Sequence, residues 1–417
     1  MTMLKNHIIN TLISKLLIAL CSMGVVVITS QILGAEGRGV ISYVLLLIML
    51  AQVVAEFVGG SALINLAPNE RLINLIVPSY AVSIIVSAGL WVVTSFTHTA
   101  PVPPWLMAII CLFLCLSNVN LGLILGRQQI NKRNVIQFSY TLLLLAGVYV
   151  VYWVDKSPSV EPYFKMLAFT YFMGFILSGF VLFQIAKNED FLNFSLSKEL
   201  FTYGFWSQLS QLINLLNYRL AYFFVERDFG MASLGIYSNA MTIGEMMKIP
   251  GHSLGQVQHN RIINNSSATE YAKQITAKYL ALNIVLYAAQ WVVLLLIPSI
   301  LWSWLLGNDF TSLKTVLFIL LPGFVAMGVA TSFSFYFHAI NRFKTVLLVN
   351  LATLFTVIVV YYGLKSNLGF NAILYAFSTA YCLHLLLFVV LYFKQKNANF
   401  QFVSIVKNAI KAYSNKA

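Results

Sequence analysis

The chain has little charge: Asp, Glu, Lys and Arg make up 9% of its 417 residues, and only 13 of them are acidic. A water-soluble domain carries about 25% charged residues, so this chain cannot dress a water-facing surface of ordinary size. It has four cysteines. Cys21, Cys111, Cys115 and Cys382 all fall in apolar runs, and Cys111 and Cys115 share a helix face with no His or carboxylate nearby. They are expected to be small packing residues rather than metal ligands or a disulfide. There is no Walker loop, no Gly-rich dinucleotide turn, no His-Glu-x-x-His and no zinc spacing, so no nucleotide-driven pump or metalloenzyme is written in the chain. No cofactor is expected. The first apolar run is about 25 residues long and holds Lys15, which excludes a cleavable signal peptide with its h-region of about 7–15 residues.

What the chain does have is length of apolar sequence: 59% of its residues are hydrophobic and its mean hydropathy is +0.81. Twelve runs are long enough to cross a bilayer as helices, each needing about 20 residues. Six occupy 1–186: 9–33, 40–63, 75–96, 105–125, 135–154 and 164–186. A polar stretch at 187–200 reads as an interlobe linker. Six more occupy 201–393: 201–225, 235–255, 279–301, 315–337, 346–362 and 372–393; a basic tail covers 394–417. The runs are continuous rather than alternating, which favours helices over a barrel. The expected fold is all-α and integral to the membrane, with about twelve spans in two six-helix lobes around a central cavity.

The formal net charge is +13. With the amino terminus cytoplasmic, about 17 Lys and Arg fall on the cytoplasmic side and about six on the other, a bias that recurs loop after loop. That places both termini in the cytoplasm and accounts for the basic charge without nucleic acid. The halves also echo each other: Gly39-Val40-Ile41-Ser42 opens the second span and Gly235-Ile236-Tyr237-Ser238 the eighth, 235 − 39 = 196 residues apart.

Ionisable groups at membrane depth are costly and usually face the bundle interior or water. Lys15, Glu56, Arg219, Glu245 and Lys248 are such groups, and they fall only on spans 1, 2, 7 and 8, the same two of each half. Lys15 and Glu56 lie about 9 and 7 Å to the cytoplasmic side of their span midpoints, so a contact between them is geometrically reasonable. Glu245 and Lys248 stand three apart and can also pair; both pairs could instead be structural locks. Ser207, Ser210, Gln211, Asn214, Asn217 and Tyr218 form a polar stripe on span 7. Arg219 sits about 100° off that stripe near the outer end, where snorkelling and a place in the cavity are both open. Pro250-Gly251 is expected to break or hinge span 8.

Four short motifs in order resemble the polysaccharide branch of the multidrug/oligosaccharidyl-lipid/polysaccharide exporter superfamily, and O-antigen flippases of the Wzx type above all. They are Leu33-Gly34-Ala35-Glu36-Gly37-Arg38-Gly39, Gly235-Ile236-Tyr237-Ser238, Leu306-Gly307-Asn308-Asp309-Phe310 and Leu321-Pro322-Gly323. The resemblance implies a bacterial inner-membrane carrier, not an enzyme. It would flip undecaprenyl-pyrophosphate-linked oligosaccharide from the cytoplasmic to the periplasmic leaflet by alternating access, alongside a polysaccharide polymerase and a chain-length regulator. A proton or sodium gradient, or the membrane potential, would drive it. Lys15, Lys248 and Arg219, with Gln211 and Asn214, would bind substrate; Glu56 and Glu245 would balance charge or couple transport. Where similar sequences run Arg-Leu-Asp, this chain runs Arg219-Leu220-Ala221, so coupling through that Asp is unavailable here. A lipid II flippase and a drug/cation antiporter are the rivals from the same superfamily. Three cations to two anions speak against the antiporter, and short outward loops against a membrane polymerase or ligase.

Overall fold

The structure, a computed structural model, describes residues 2–97, 101–155, 158–186, 198–263 and 269–394. The linker residues 187–197 and the tail from 395 lie outside them, as do the side chains of Ser207 and Ser210. The chain runs α1 (Thr2–Ala55), a 3-10 turn (Glu56–Val58), α2 (Gly60–Leu66), α3 (Leu72–Thr97), α4 (Pro104–Gly126), α5 (Ile130–Asp155) and α6 (Glu161–Ala186). It continues with α7 (Lys198–Ile263), α8 (Thr269–Leu296), α9 (Ser299–Leu306), a second 3-10 turn (Asn308–Phe310), α10 (Leu313–Ala339), α11 (Phe343–Leu368) and α12 (Asn371–Phe393). No strand occurs among the described residues.

Two helices carry two spans each. α1 bends at Gly34 (φ 66°, ψ −168°) and α7 at Gly230 (φ 79°, ψ 176°). Positive φ is open to glycine without the Cβ penalty, and these two bends have nearly the same backbone geometry. Their separation, 230 − 34 = 196 residues, is the repeat offset. Counting both arms of α1 and α7, the long helices supply twelve membrane-length segments among the described residues. Nine helices qualify on length and apolar composition alone, and α7 is not among them. Its polar residues dilute the apolar pattern.

The chain divides into two compact units: Met1–Leu215 with Glu226–Ser238 and Leu305–Asp309, and Leu216–Val225 with Asn239–Trp304 and Phe310–Ala417. These boundaries differ from a division at the polar linker, because the start of α7 up to Leu215, the bend of α7 and Leu305–Asp309 group with the first unit. In that unit α4 packs on α3 and α6, and α1 on α5, around Ile41, Val44, Met107, Ile110 and Phe164. Several polar side chains find partners inside the unit. Ser83 and Ser87 donate to carbonyls one turn back, while Ser79 donates to the Val58 carbonyl. Tyr80, Asn120 and Ser178 tie α3, α4 and α6 together. Without water to pair with, such groups must find partners in the protein.

In the second unit α10 packs on α8 and α12, and α11 on α12. Tyr287, Tyr336, Phe337 and Phe388 fill its centre. Gln258 donates to Thr276 and to the Ser332 carbonyl, and Asn283 to the Ser332 hydroxyl, which locks α7, α8 and α10. The break expected at Pro250-Gly251 is absent: α7 runs on through both residues, and its non-helical backbone is at Gly230. Gly251 instead makes room for Tyr287, as Gly328 does from α10. A Cβ at Gly328 would meet that ring inside the 3.0 Å that such atoms keep. Gly328→Ala should therefore cost about 1–3 kcal/mol, read as a lowered Tm in detergent. Gly363→Ala, with open space around it, should leave Tm almost unchanged.

The outer surface is apolar: Phe96 is 82% exposed, Leu296 77% and Val154 74%. Exposure of this kind on several helices is unsuited to water and suits acyl chains.

Candidate functional site

Polar and charged groups at membrane depth gather around both bent helices. In the second unit, Arg219 on the first arm of α7 reaches Glu245 on the second, with Nη2 2.8 Å from Oε1. It also donates to the Tyr222 hydroxyl. The side chain is only 17% exposed, so Arg219 does not snorkel out: it is clamped between a carboxylate and a phenol. The pairing open to Glu245 and Lys248 is not formed. Three residues along the same arm is close enough, but the guanidinium from the facing arm has the longer reach and the bidentate shape for a carboxylate. A double-mutant cycle of Arg219→Ala and Glu245→Ala, read by unfolding in detergent, should give a coupling of about 0.5–3 kcal/mol. Additive single effects would show that the ion pair carries no stability.

Lys248 is thereby left with a neutral partner. Its Nζ donates to the Tyr218 hydroxyl at 2.7 Å and sits 4.2 Å from the ring centroid. Among the described residues no carboxylate lies within the 4.0 Å of an ion pair. Tyr218 stacks on Tyr381 of α12, centroids 5.9 Å apart. Tyr381 is 5.6 Å from the His384 ring, which shares a 2.7 Å hydrogen bond with Thr353 of α11. A membrane-depth ammonium thus stands on a wall of aromatic rings and hydroxyls from three helices.

In the first unit, the Lys15–Glu56 contact that depth allowed is not an ion pair among the described residues. Glu56 accepts a 2.7 Å hydrogen bond from Gln52. It lies where α1 gives way to a 3-10 turn, and it borders a cavity of about 20 Å³ with Gly59, Ser83, Cys115 and Asn118. That volume holds about one water. The turn sets Glu56 beside α3 and α4. The charge acting on Lys15 is the like charge of Arg133 on α5, whose buried Nε has no hydrogen-bond partner. The unit therefore brings two cations into range of each other with no carboxylate pairing either among the described residues.

Gln211 and Asn214 are exposed at mid-helix and make no hydrogen bond among the described residues. Such amides are tolerated at membrane depth only against water or protein. Shifting by the repeat offset of 196 pairs Lys15 with Gln211, Gln52 with Lys248 and Glu56 with His252. The two bent helices thus carry polar groups at matching positions while the charges differ. Sequence reasoning missed Arg133, one of the basic residues counted to the cytoplasmic side, and the Tyr381–His384–Thr353 wall. The latter had a usable signal in the lone His384 inside an apolar run.

Compared with known families, residues 3–250 match the family described as "Polysaccharide biosynthesis protein". That is more than half of the chain. The chain belongs to the polysaccharide biosynthesis protein family. No curated protein matches it closely. Among solved structures it is similar to one described as the inward-facing conformation of a multidrug resistance MATE family transporter of the MOP superfamily, at TM-score 0.71 and 13% identity, covering 94% of this chain and 96% of that one. It is also similar to "Lipid II flippase MurJ, inward closed conformation", at TM-score 0.68 and 14% identity, covering 97% of each chain. At these identities the likeness establishes the fold: a multi-pass, all-α membrane transporter fold.

Proposed function

We propose that this chain flips undecaprenyl-pyrophosphate-linked O-antigen, or a related oligosaccharide repeat unit, from the cytoplasmic to the periplasmic leaflet of a bacterial inner membrane. Both termini are cytoplasmic in this reading. The observation that carries it is Lys248, a membrane-depth ammonium whose partner is a tyrosine hydroxyl rather than a carboxylate. A cation held so invites an anion. Within the first unit the Lys15 and Arg133 side chains make the same offer to an anion. Tyr218, backed by the buried Tyr381 ring, presents a ring face and hydroxyl of the kind sugars use, and Gln211 and Asn214 of the first unit offer amides to the same class of ligand. Arg219 acts indirectly, by holding Glu245 away from Lys248.

The chain acts as a carrier by alternating access, not as an enzyme. Glu56, beside a water-sized cavity, is the group proposed to take up the coupling proton or sodium ion. Glu245 balances Arg219. The products pass to a polymerase and a chain-length regulator. Membership of the polysaccharide family supports the substrate class. The test is complementation: expressed in a strain lacking its O-antigen flippase, with a panel of repeat units supplied, the chain should restore surface polysaccharide for at least one of them. Failure with every unit at normal protein abundance, alongside rescue of a strain lacking its lipid II flippase, would transfer the assignment to lipid II.

A further inference from the structure

The bends of α1 and α7 touch, and they touch reciprocally. All the residues involved belong to the first compact unit. A Cβ added to Gly39 would run into the backbone carbonyl of Met231, and a Cβ added to Gly235 into that of Ala35, both inside the 3.0 Å limit for such atoms. These contacts map onto each other under the repeat: 39 becomes 235 and 35 becomes 231 on adding 196. The backbones therefore cross at two equivalent points, where only glycine's two hydrogens leave room. Such close crossings are built on small residues four apart, here Ala35 and Gly39, with Cα–H groups facing carbonyl oxygens.

A third segment pins the crossing. The Asp309 carboxylate accepts a 3.0 Å hydrogen bond from the Ala35 amide, at the start of the arm that follows the Gly34 bend, where an anion favours a helix N-terminus. One turn earlier the Gln31 amide donates to the Leu305 carbonyl at 3.0 Å. Beneath the crossing Ser42 and Ser238, again equivalent, are buried at 8% and 2% exposure.

The geometry points to a gate. Gly39 and Gly235 are paired closure points at the extracytoplasmic end of the bundle, and Asp309 is the latch that holds them shut. The crossing must part for cargo to leave on that side, and it re-forms through backbone contact and the Asp309 hydrogen bond. This rests on the proposed orientation of the chain, and it predicts how the two glycines serve transport rather than what is carried.

The test uses the full-length chain with Ser238→Cys as reporter, labelled in intact cells by a membrane-impermeant maleimide, the parent without Ser238→Cys giving the background of the four native thiols. With both glycines present the reporter should be protected. Gly39→Ala and Gly235→Ala should each raise its labelling at least fivefold and lower polysaccharide export at least tenfold. Asp309→Ala adds no bulk, so it keeps the test decisive if a glycine variant fails to fold, and it should raise labelling at least twofold. Gly363→Ala should do neither. Labelling in Gly39→Ala and Asp309→Ala that stays at the parental level would overturn the gate. So would labelling only in inverted vesicles, which would put the crossing on the other face. Labelling needs no substrate. A gate that opens as described in a chain that rescues no flippase-null strain would sink the proposed function and leave the gate standing.

Discussion

Lys248→Glu is expected to abolish complementation of an O-antigen flippase-null strain, lowering surface polysaccharide at least about 100-fold at unchanged protein abundance. The wild-type ammonium meets the Tyr218 hydroxyl and no carboxylate among the described residues, so in the proposed cycle its charge is answered by the substrate's diphosphate. Reversing that charge replaces attraction with repulsion in a poorly screened site. Lys248→Arg should keep most of the activity, since the charge persists, although the fork of an Arg reaches differently from an ammonium. Tyr218→Phe removes only the hydroxyl that orients Lys248, and should cost about tenfold or less. Near-normal polysaccharide in Lys248→Glu cells would remove this residue from substrate binding.

Glu56→Gln carries the second large effect. The carboxylate borders a cavity with room for about one water, and its described partner is the neutral Gln52 amide. An amide of the same shape preserves packing and removes the titratable group. Gradient-driven transport should fall at least about tenfold, the usual scale for loss of a proton-transfer group, while substrate affinity stays within about twofold. Glu56→Asp should recover part of the rate. Transport in vesicles with an imposed proton or sodium gradient separates the two effects. Unchanged gradient dependence in Glu56→Gln would move coupling elsewhere, with His252, the repeat counterpart of Glu56, next in line.

Span number was legible because apolar runs of twenty or more residues have few other uses in a chain with so little charge. The motifs were legible as motifs but not as a device. Leu33 to Gly39 and Leu306 to Phe310 turn out to be two sides of one contact, through Asp309 and Ala35. Nothing in either run says which carbonyl its glycines will meet. The repeat offset was visible from one tetrapeptide, and the structure extends it to the bends at Gly34 and Gly230.

Charge pairing was the least legible part. Depth alone allowed both the pair that forms and the pair that does not. Arg219 and Glu245 lie 11 and 15 residues from the Gly230 bend, about 17 and 23 Å along their arms, a difference a guanidinium spans. Lys15 and Glu56 lie 19 and 22 residues from Gly34, about 29 and 33 Å, just as well matched. What separates them is direction. Glu56 belongs to a 3-10 turn, where the helical wheel of the preceding arm no longer predicts where a side chain points. A wheel drawn for a single arm could not reveal that Arg219, off the polar stripe, meets the arm beyond the bend.

The most direct test of the central claim is leaflet exchange in liposomes. The purified chain is reconstituted with a fluorescent undecaprenyl-pyrophosphate oligosaccharide, and the labelled lipid accessible to an external quencher is followed in time. The account predicts protein-dependent exchange that an ion gradient accelerates and Lys248→Glu removes. Exchange no faster than in protein-free liposomes, from a preparation that transports an organic cation under the same gradient, would contradict it.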